Sequence, residues 1–223
     1  MTLATPEEAG VPRRRITNPD AELLPEGTAP PAGVPAEIFA AGLACYLEMR
    51  RLDMRSLAEE LGMGRATLYR KVRSRDHLLG EITWYLTRRL IVRALRATAM
   101  ITGRARIAAL VELFMRSVAE QVELRRFLDA EPEAALRVLT SKHGPVQGGL
   151  TTVIEQLLRR ETALADGDDG MTPATLAYVI VRIGESFLYA DVIGHGDPDV
   201  DAAMQVIDRL LDATVADPAF VAV

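Results

Sequence analysis

The chain has 223 residues, of which 49% are hydrophobic and only 5% aromatic, so a sizeable core built from Ala, Leu, Val and Ile is expected. Ala and Leu are strong helix formers, and this composition favours an all-α fold. No apolar run is long enough to cross a bilayer, and the net charge of −5 taken alone argues against a nucleic-acid partner.

Two features indicate a reducing compartment. Cys45 is the only cysteine, which excludes an internal disulfide framework. The N-terminus lacks the basic start and the apolar stretch of a signal peptide. We therefore expect a cytoplasmic protein in which Cys45 is a small buried hydrophobic residue rather than a reactive thiol.

The first 33 residues are rich in Pro, Glu, Gly and Ala and show no apolar period. Such a segment buries too little surface to offset the entropy lost on ordering, so a disordered tail is predicted. Within it, Arg13, Arg14 and Arg15 form either a solvated basic patch or an arm that contacts phosphates or the minor groove. The sequence leaves both interpretations open.

Four helices are predicted in the first half of the chain. A capping-box motif, with Ser56 as the cap and Glu59 three residues later, marks the start of the second helix. Gly62 is expected to end that helix in a left-handed conformation, and Ser74 is a cap candidate for the fourth. The predicted ranges are about 35–47, 56–61, 65–72 and 74–99.

After Gly103 the pattern changes to a series of amphipathic helices. Pro132 and Pro145 interrupt the series, and a Gly- and Asp-rich loop is expected at residues 166–170. Residues 194–198 separate the last two helices. The predicted helical ranges are 104–121, 123–130, 132–140, 145–160, 173–193 and 199–215.

Residues 54–79 predict a helix-turn-helix. The link between its two helices is short and contains Gly62, so the helices must cross steeply and the second one projects. Leu68 and Val72, at positions i and i+4, anchor the inward side of the projecting helix. The side chains predicted to be displayed are Arg65, Ala66, Thr67, Tyr69, Arg70 and Lys71.

The chemistry of this region suits DNA. Basic, hydroxyl-bearing and small side chains are the types that contact phosphates and base edges. Residues 50–96 hold twelve Lys or Arg and five Asp or Glu, so the net charge of this segment is +7 and that of the rest of the chain is −12. The helix N-termini near Ser56 and Ser74 add backbone donors for phosphate oxygens. A helix-turn-helix used only for packing is the alternative.

The stretch from residue 57 to residue 79 resembles the DNA-binding signature of the TetR family of transcriptional regulators. Its most specific parts are the runs TLY at 67–69 and SRD at 74–76. The resemblance implies backbone contacts from Thr67 and Tyr69, and base contacts from Arg65, Ala66 and Arg70 or Lys71. The complete set predicted to contact DNA is Ser56, Arg65, Ala66, Thr67, Tyr69, Arg70, Lys71, Ser74 and Arg75.

Two positions depart from the family pattern. Gly64 stands where the family usually has a Ser cap, so the recognition helix is expected to begin less firmly. Lys71-Val72 replaces the usual His-Phe and leaves a smaller apolar anchor. The segment Glu131-Pro132-Glu133 and the C-terminal part also resemble the QsdR-type branch, which is associated with control of lactone-degrading genes.

A homodimer is implied by the family resemblance, with the last two helices of each subunit forming a four-helix interface. Helix 173–193 carries two stripes of residues that lie on opposite faces, since they are offset by two positions. The first stripe is Leu176, Ile180, Ile183 and Phe187, and the second is Tyr178, Arg182, Glu185 and Tyr189. Packing within one subunit is the alternative. The residues assigned to dimerisation are Leu176, Ile180, Ile183, Phe187, Met204, Ile207 and Leu211.

An effector cavity is predicted beside the second stripe of the same helix, where a few polar groups would interrupt apolar walls. In the alternative, Arg182 and Glu185 pair with each other or across the dimer interface. The residues assigned to effector binding are Trp84, Phe114, Met115, Tyr178, Arg182, Glu185 and Tyr189.

The sequence thus predicts a disordered tail (1–33), a helix-turn-helix domain (34–80) and a helical effector-binding and dimerisation domain (81–223). The function expected is a repressor that leaves double-stranded operator DNA when a small apolar or amphipathic ligand, such as a lactone, binds. An activator and a helical scaffold are the alternatives. His77, His143 and His195 are scattered, so no enzyme, metal site or cofactor is expected.

Overall fold

The computed structural model describes residues 31, 33–162, 164, 171–194 and 196–215. Within these ranges the chain forms helices and no strands, which confirms the all-α prediction. The helices are α1 (Ala36–Leu47), α2 (Met54–Glu60), α3 (Arg65–Val72), α4 (Arg75–Ala97), α5 (Gly103–Ala119), α6 (Val122–Ala130), α7 (Pro132–Thr140), α8 (Pro145–Glu161), α9 (Pro173–Leu188), α10 (Ala190–Ile193) and α11 (Val200–Thr214).

Several predictions fall on residues outside the described ranges. They are the tail before residue 31, with its three arginines at 13–15, the loop at 166–170, and His195.

The first three helices and the start of α4 share one apolar core. Ile38, Leu68 and Leu78 are completely buried where these helices meet. The turn between α2 and α3 passes through Gly62, whose φ of 61° lies in the left-handed region that favours glycine. The predicted end of α2 at Gly62 is therefore confirmed.

The predicted start of α2 at Ser56 is wrong. The helix begins at Met54, and the Asp53 carboxylate is the cap, because it accepts hydrogen bonds from the backbone nitrogens of Arg55 and Ser56. The Ser56 hydroxyl also donates to Asp53, while Glu59 pairs with Arg55. An aspartate placed three residues before the serine caps as well as serine does, and it lengthens the helix.

Helix α4 connects the first three helices to the rest of the molecule. Ser74 caps it by accepting a hydrogen bond from the backbone nitrogen of His77 at 3.0 Å, as predicted. At 23 residues it extends about 35 Å, at about 1.5 Å per residue. Along this length it packs in turn against α1, α7, α8 and α5.

The remaining helices form a layered bundle in which α9 lies between α8 and α11, with α5 beneath. A nearly buried ion pair, Arg106 Nη1 to Glu161 Oε1 at 2.7 Å, joins the start of α5 to the end of α8. The single helix predicted at 173–193 is interrupted at Tyr189, which separates α9 from α10. No helix of the described residues is long and apolar enough to span a membrane.

Candidate functional site

The recognition helix α3 is held by two anchors, as its spacing predicts. Leu68 and Val72 have no exposed surface. Arg65, Ala66, Arg70 and Lys71 are exposed, and Thr67 is half-buried. Tyr69 is 37% exposed. The displayed set is therefore the predicted one.

The start of α3 carries no side-chain cap. Gly64 has extended backbone angles (φ −70°, ψ 144°) and offers only its carbonyl, which accepts from the backbone nitrogen of Leu68 at 3.1 Å. The other N-termini in this region are capped by Asp53 and Ser74. The structure thus has the weak start that the sequence indicated.

Four cations on and after α3 have no ionic partner. Among the described residues, no carboxylate lies within ion-pairing distance of Arg65, Arg70, Lys71 or Arg73, although Arg55 pairs with Glu59 nearby. Cations displayed on a projecting helix remain available for an anionic partner such as the phosphate backbone.

Arg75 does not join this set, which corrects its assignment as a DNA-contacting residue. Its Nε donates to the carbonyl of Leu52 at 2.6 Å, and its Nη2 donates to Glu131 Oε1 at 2.6 Å. The side chain is only 20% exposed. Because both ends of the guanidinium are engaged inside the molecule, Arg75 connects the loop before α2 to the junction of α6 and α7.

A cavity is lined by residues of α4, α5, α6, α7, α8 and α9, together with Tyr46 of α1. The space between its lining residues, counted together with the part that is open to solvent, is about 870 Å³. The walls are mainly apolar. Representative wall residues are Leu90, Val111, Phe114, Met115, Val146 and Ile180.

Glu185 is the buried charged group of this wall, with a side chain only 7% exposed. Its Oε2 accepts from Arg182 Nη1 at 2.5 Å, while its Oε1 has no hydrogen-bond partner among the described residues. Burial raises the pKa of Glu185 to about 7, although the adjacent Arg182 guanidinium lowers it. Burial also raises the pKa of Tyr46 and Tyr189, whose side chains line the same space.

Four of the seven residues assigned to effector binding line the cavity, namely Phe114, Met115, Glu185 and Tyr189. The other three predictions are wrong. Tyr178 is 52% exposed on the outer face of α9. Arg182 reaches Glu185 from outside the wall and is 43% exposed. The predicted pairing of Arg182 with Glu185 is confirmed.

Trp84 is the third wrong assignment, and Gly149 explains it. The indole ring lies directly over Gly149 of α8, where a side chain would overlap it. The Arg88 guanidinium stands over the ring at 5.9 Å from its centroid. Trp84 therefore fastens α4 to α8 on the side of α4 that faces away from the cavity.

The predicted dimerisation residues are mostly core residues of one subunit. Five of them, Leu176, Ile180, Met204, Ile207 and Leu211, are at most 7% exposed, because α11 packs its apolar stripe against α5 and α9. Only Ile183 and Phe187 are partly exposed. Other apolar side chains of these two helices are uncovered as well. They are Tyr178, Val179, Ala202, Val206, Leu210 and Ala213, all exposed or half-buried.

The sequence did not single out several cavity residues. Leu86 and Leu90 of α4 line it together with Thr83 and Thr87, and their i, i+4 spacing was a usable signal. Tyr46 carried no such signal, because its contact with the cavity joins residues that are far apart in sequence. Its ring packs edge-on against Phe127, with 6.0 Å between the ring centroids.

Three comparisons place this geometry among known proteins. Residues 102–212 match the family model described as the tetracyclin repressor-like C-terminal domain. The structure is similar to that of QsdR, a TetR-family transcriptional repressor from R. erythropolis, with 29% identity and a TM-score of 0.67 over 81% of this chain and 95% of that one. A search of curated protein sequences finds no significant match.

A second solved structure shares the fold. AlkX from Dietzia sp., a TetR-family repressor implicated in biodegradation of n-alkanes, has 22% identity and a TM-score of 0.55 over 81% of this chain and 96% of that one.

Among the described residues, no cluster of three or more His, Cys, Asp or Glu side chains could hold a metal ion.

Proposed function

The chain belongs to the TetR family of transcriptional regulators, and on that premise we propose that it is a homodimeric repressor which a small apolar or amphipathic ligand releases from operator DNA. Residues 34–80 form the DNA-binding domain and residues 81–223 the effector-binding and dimerisation domain. An activator with the same parts is the second candidate.

One observation carries the DNA-binding proposal. Arg65, Arg70 and Lys71 are displayed on α3 and Arg73 directly after it, without ionic partners among the described residues, and Leu68 and Val72 anchor this helix. In a scaffold protein such cations would be expected to form ion pairs or to lie far apart, since like charges repel. On DNA they neutralise phosphates, while Ala66 and Thr67 have sizes suited to base edges and the thymine methyl group.

The cavity supports a ligand-controlled regulator. Its walls are mainly apolar and hold a few polar groups, which is the usual composition of a small-molecule site. The similarity to QsdR supports a place in the QsdR-type branch, and a lactone is then one candidate ligand. The ligand acts by binding more tightly to a state in which the two recognition helices no longer match successive major grooves.

The dimer is proposed to form through the uncovered apolar face of α9 and α11, with Tyr178 and Val206 as its most exposed large members. A two-fold interface places the same face on both subunits. Operator binding locates the protein with the chromosome, in the cytoplasm, and a regulator of this kind needs neither catalysis nor a cofactor.

The test is fluorescence anisotropy with duplexes from the region upstream of the protein's own coding sequence, at two salt concentrations. We expect binding that weakens steeply with salt, and at least tenfold weaker binding for Arg70→Ala. The control, Lys142→Ala, removes the same charge from an exposed loop and should bind as the wild type does. Salt-independent binding, or equal effects of the two variants, would contradict the proposal.

A further inference from the structure

Glu185 lines the cavity, and one oxygen of its carboxylate has no hydrogen-bond partner among the described residues. Its Oε2 is engaged by Arg182, whereas Oε1 is buried without a hydrogen-bond partner among the described residues. A buried, unpartnered carboxylate oxygen is costly, because it has lost its hydration without replacement. The other polar side chains that line the cavity are Tyr46, Thr83, Thr87, Gln121, Glu123 and Tyr189.

The charges that line the cavity are all of one sign. Glu123 and Glu185 are its charged wall residues, and no Lys, Arg or His belongs to the described wall. Arg182 approaches Glu185 from the outer side and is 43% exposed, so water screens much of its field. Burial raises the pKa of Glu185, and the Arg182 guanidinium offsets this effect only in part.

We propose that the cavity selects a lipophilic amine, whose protonated nitrogen donates to Glu185 Oε1 while its apolar body lies against Phe114, Met115 and Ile180. An ammonium group supplies both the missing donor and the missing charge, and charge-assisted hydrogen bonds are about twice as strong as neutral ones. This inference rests on the proposed function, because it names the ligand class of the same cavity.

Other amphiphiles fit the wall less well. A fatty acid would bring a third carboxylate next to Glu123 and Glu185, and like charges in a low-dielectric site repel strongly. A lactone offers only acceptor oxygens, which leave Glu185 Oε1 unpartnered while that carboxyl is ionised.

The experiment measures binding to the full-length protein without DNA, by isothermal titration calorimetry at pH 7.5. The probes share a ten-carbon body: decylamine, decan-1-ol, decanoate and γ-decalactone. We expect decylamine to bind at least tenfold more tightly than each of the others. Equal or weaker binding of decylamine, or no binding by any probe, would overturn the proposal.

Substitutions test whether the preference for decylamine depends on the Glu185 carboxylate. Glu185→Gln keeps the side-chain shape and removes the charge, so decylamine should bind at least tenfold more weakly while decan-1-ol changes less than twofold. Retained decan-1-ol binding also shows that the variant is folded. Glu120→Gln, at an exposed carboxylate outside the cavity, should change neither probe. If Glu185→Gln leaves the decylamine affinity unchanged, Glu185 is not the contact.

The two proposals fail separately. If the wild type prefers decylamine in calorimetry but binds no duplex in anisotropy, the ligand inference stands and the repressor proposal is wrong. If it binds duplex DNA with steep salt dependence but shows no amine preference, the repressor proposal stands and the ligand class is wrong.

Discussion

Arg75 and Glu131, separated by 56 positions in the sequence, meet through an Nη2 to Oε1 hydrogen bond of 2.6 Å. Both side chains are at least four-fifths buried, and Arg75 also holds the carbonyl of Leu52. The pair therefore connects the base of the helix-turn-helix to the α6–α7 junction. Helix α6 contributes Leu124 to the cavity wall, so this ion pair links the helix-turn-helix to the end of a helix that lines the cavity.

Glu131→Gln is expected to lower the free energy of unfolding by roughly 2 kcal/mol, because the partly buried Arg75 loses its charged partner. Chemical denaturation monitored by circular dichroism measures the change. Glu133→Gln, at an exposed glutamate two residues away, should change stability by less than about 0.5 kcal/mol. Equal stabilities of the two variants would show that the Arg75–Glu131 pair adds nothing.

Gly64→Ser should stabilise the recognition helix. The position already has extended cap geometry, and an added Cβ would meet nothing within 4 Å. The serine hydroxyl can accept from a free backbone nitrogen at the start of α3, whereas alanine cannot. We expect the serine variant to exceed Gly64→Ala by about 1 kcal/mol in thermal or chemical unfolding. The same stability for both would mean that α3 needs no cap.

Alanine substitutions at the two adjacent glycines of α8 should change the stability of the protein in opposite directions. Gly149→Ala would drive a methyl group into the Trp84 ring and should destabilise the protein by about 1–3 kcal/mol. Gly148→Ala has open space around it and should stabilise the helix by about 0.5–1 kcal/mol. Thermal unfolding of the two variants checks this, and a harmless Gly149→Ala would mean that the ring can move away.

Glu185 should make stability depend on pH. Its folded pKa of about 7 lies above the ordinary glutamate value of 4.5, so the folded state favours the protonated carboxyl. This contribution is complete below pH 4.5 and is lost as the pH rises through 7. Glu185→Gln does not titrate, and its stability relative to the wild type should rise by roughly 2 kcal/mol between pH 5 and pH 8.

Unfolding curves of both proteins at the two pH values measure this difference. Arg182 can turn to solvent in the variant, since it is 43% exposed. Glu120→Gln should show no such change with pH. A constant difference between Glu185→Gln and the wild type would indicate an ordinary pKa.

Val206→Asp should dissociate the proposed dimer. Val206 is 42% exposed on the outer face of α11, and a charge there would be buried without a partner in a two-fold interface. Val122→Asp, at a valine 63% exposed on α6, is the control. Analytical ultracentrifugation should find a monomer only for Val206→Asp. If both variants are dimers, the dimer interface does not include Val206.

The DNA-facing part of the fold could be predicted from the sequence because its signals are local. The spacing of Leu68 and Val72, the glycine of the α2–α3 turn and the Ser74 cap each act over a few residues. The Asp53 cap was missed because two adjacent capping patterns compete there, and only the chain geometry chooses between them. Arg75 was misassigned because its partner lies in a distant helix.

The faces of α9 were harder to predict for a different reason. Helix α9 is apolar on nearly all sides, so no polar face identifies its solvent-exposed side. For this reason the sequence predicts, wrongly, that the stripe through Tyr178 and Arg182 faces inward. Gly184, Glu185 and Leu188 are buried, so the face of α9 that points into the molecule lies between the two predicted stripes. Pairing of Arg182 with Glu185 was predictable, since residues at i and i+3 are neighbours on a helix.

Tyr46 gives the molecule a short route for communication. It belongs to α1, which packs with the DNA-facing helices, yet its side chain forms part of the cavity wall and its ring rests on Phe127 of α6. A molecule that fills the cavity would contact Tyr46 and so reach the first helix directly. This contact would give a route to the DNA-binding domain that does not run along the whole of α4.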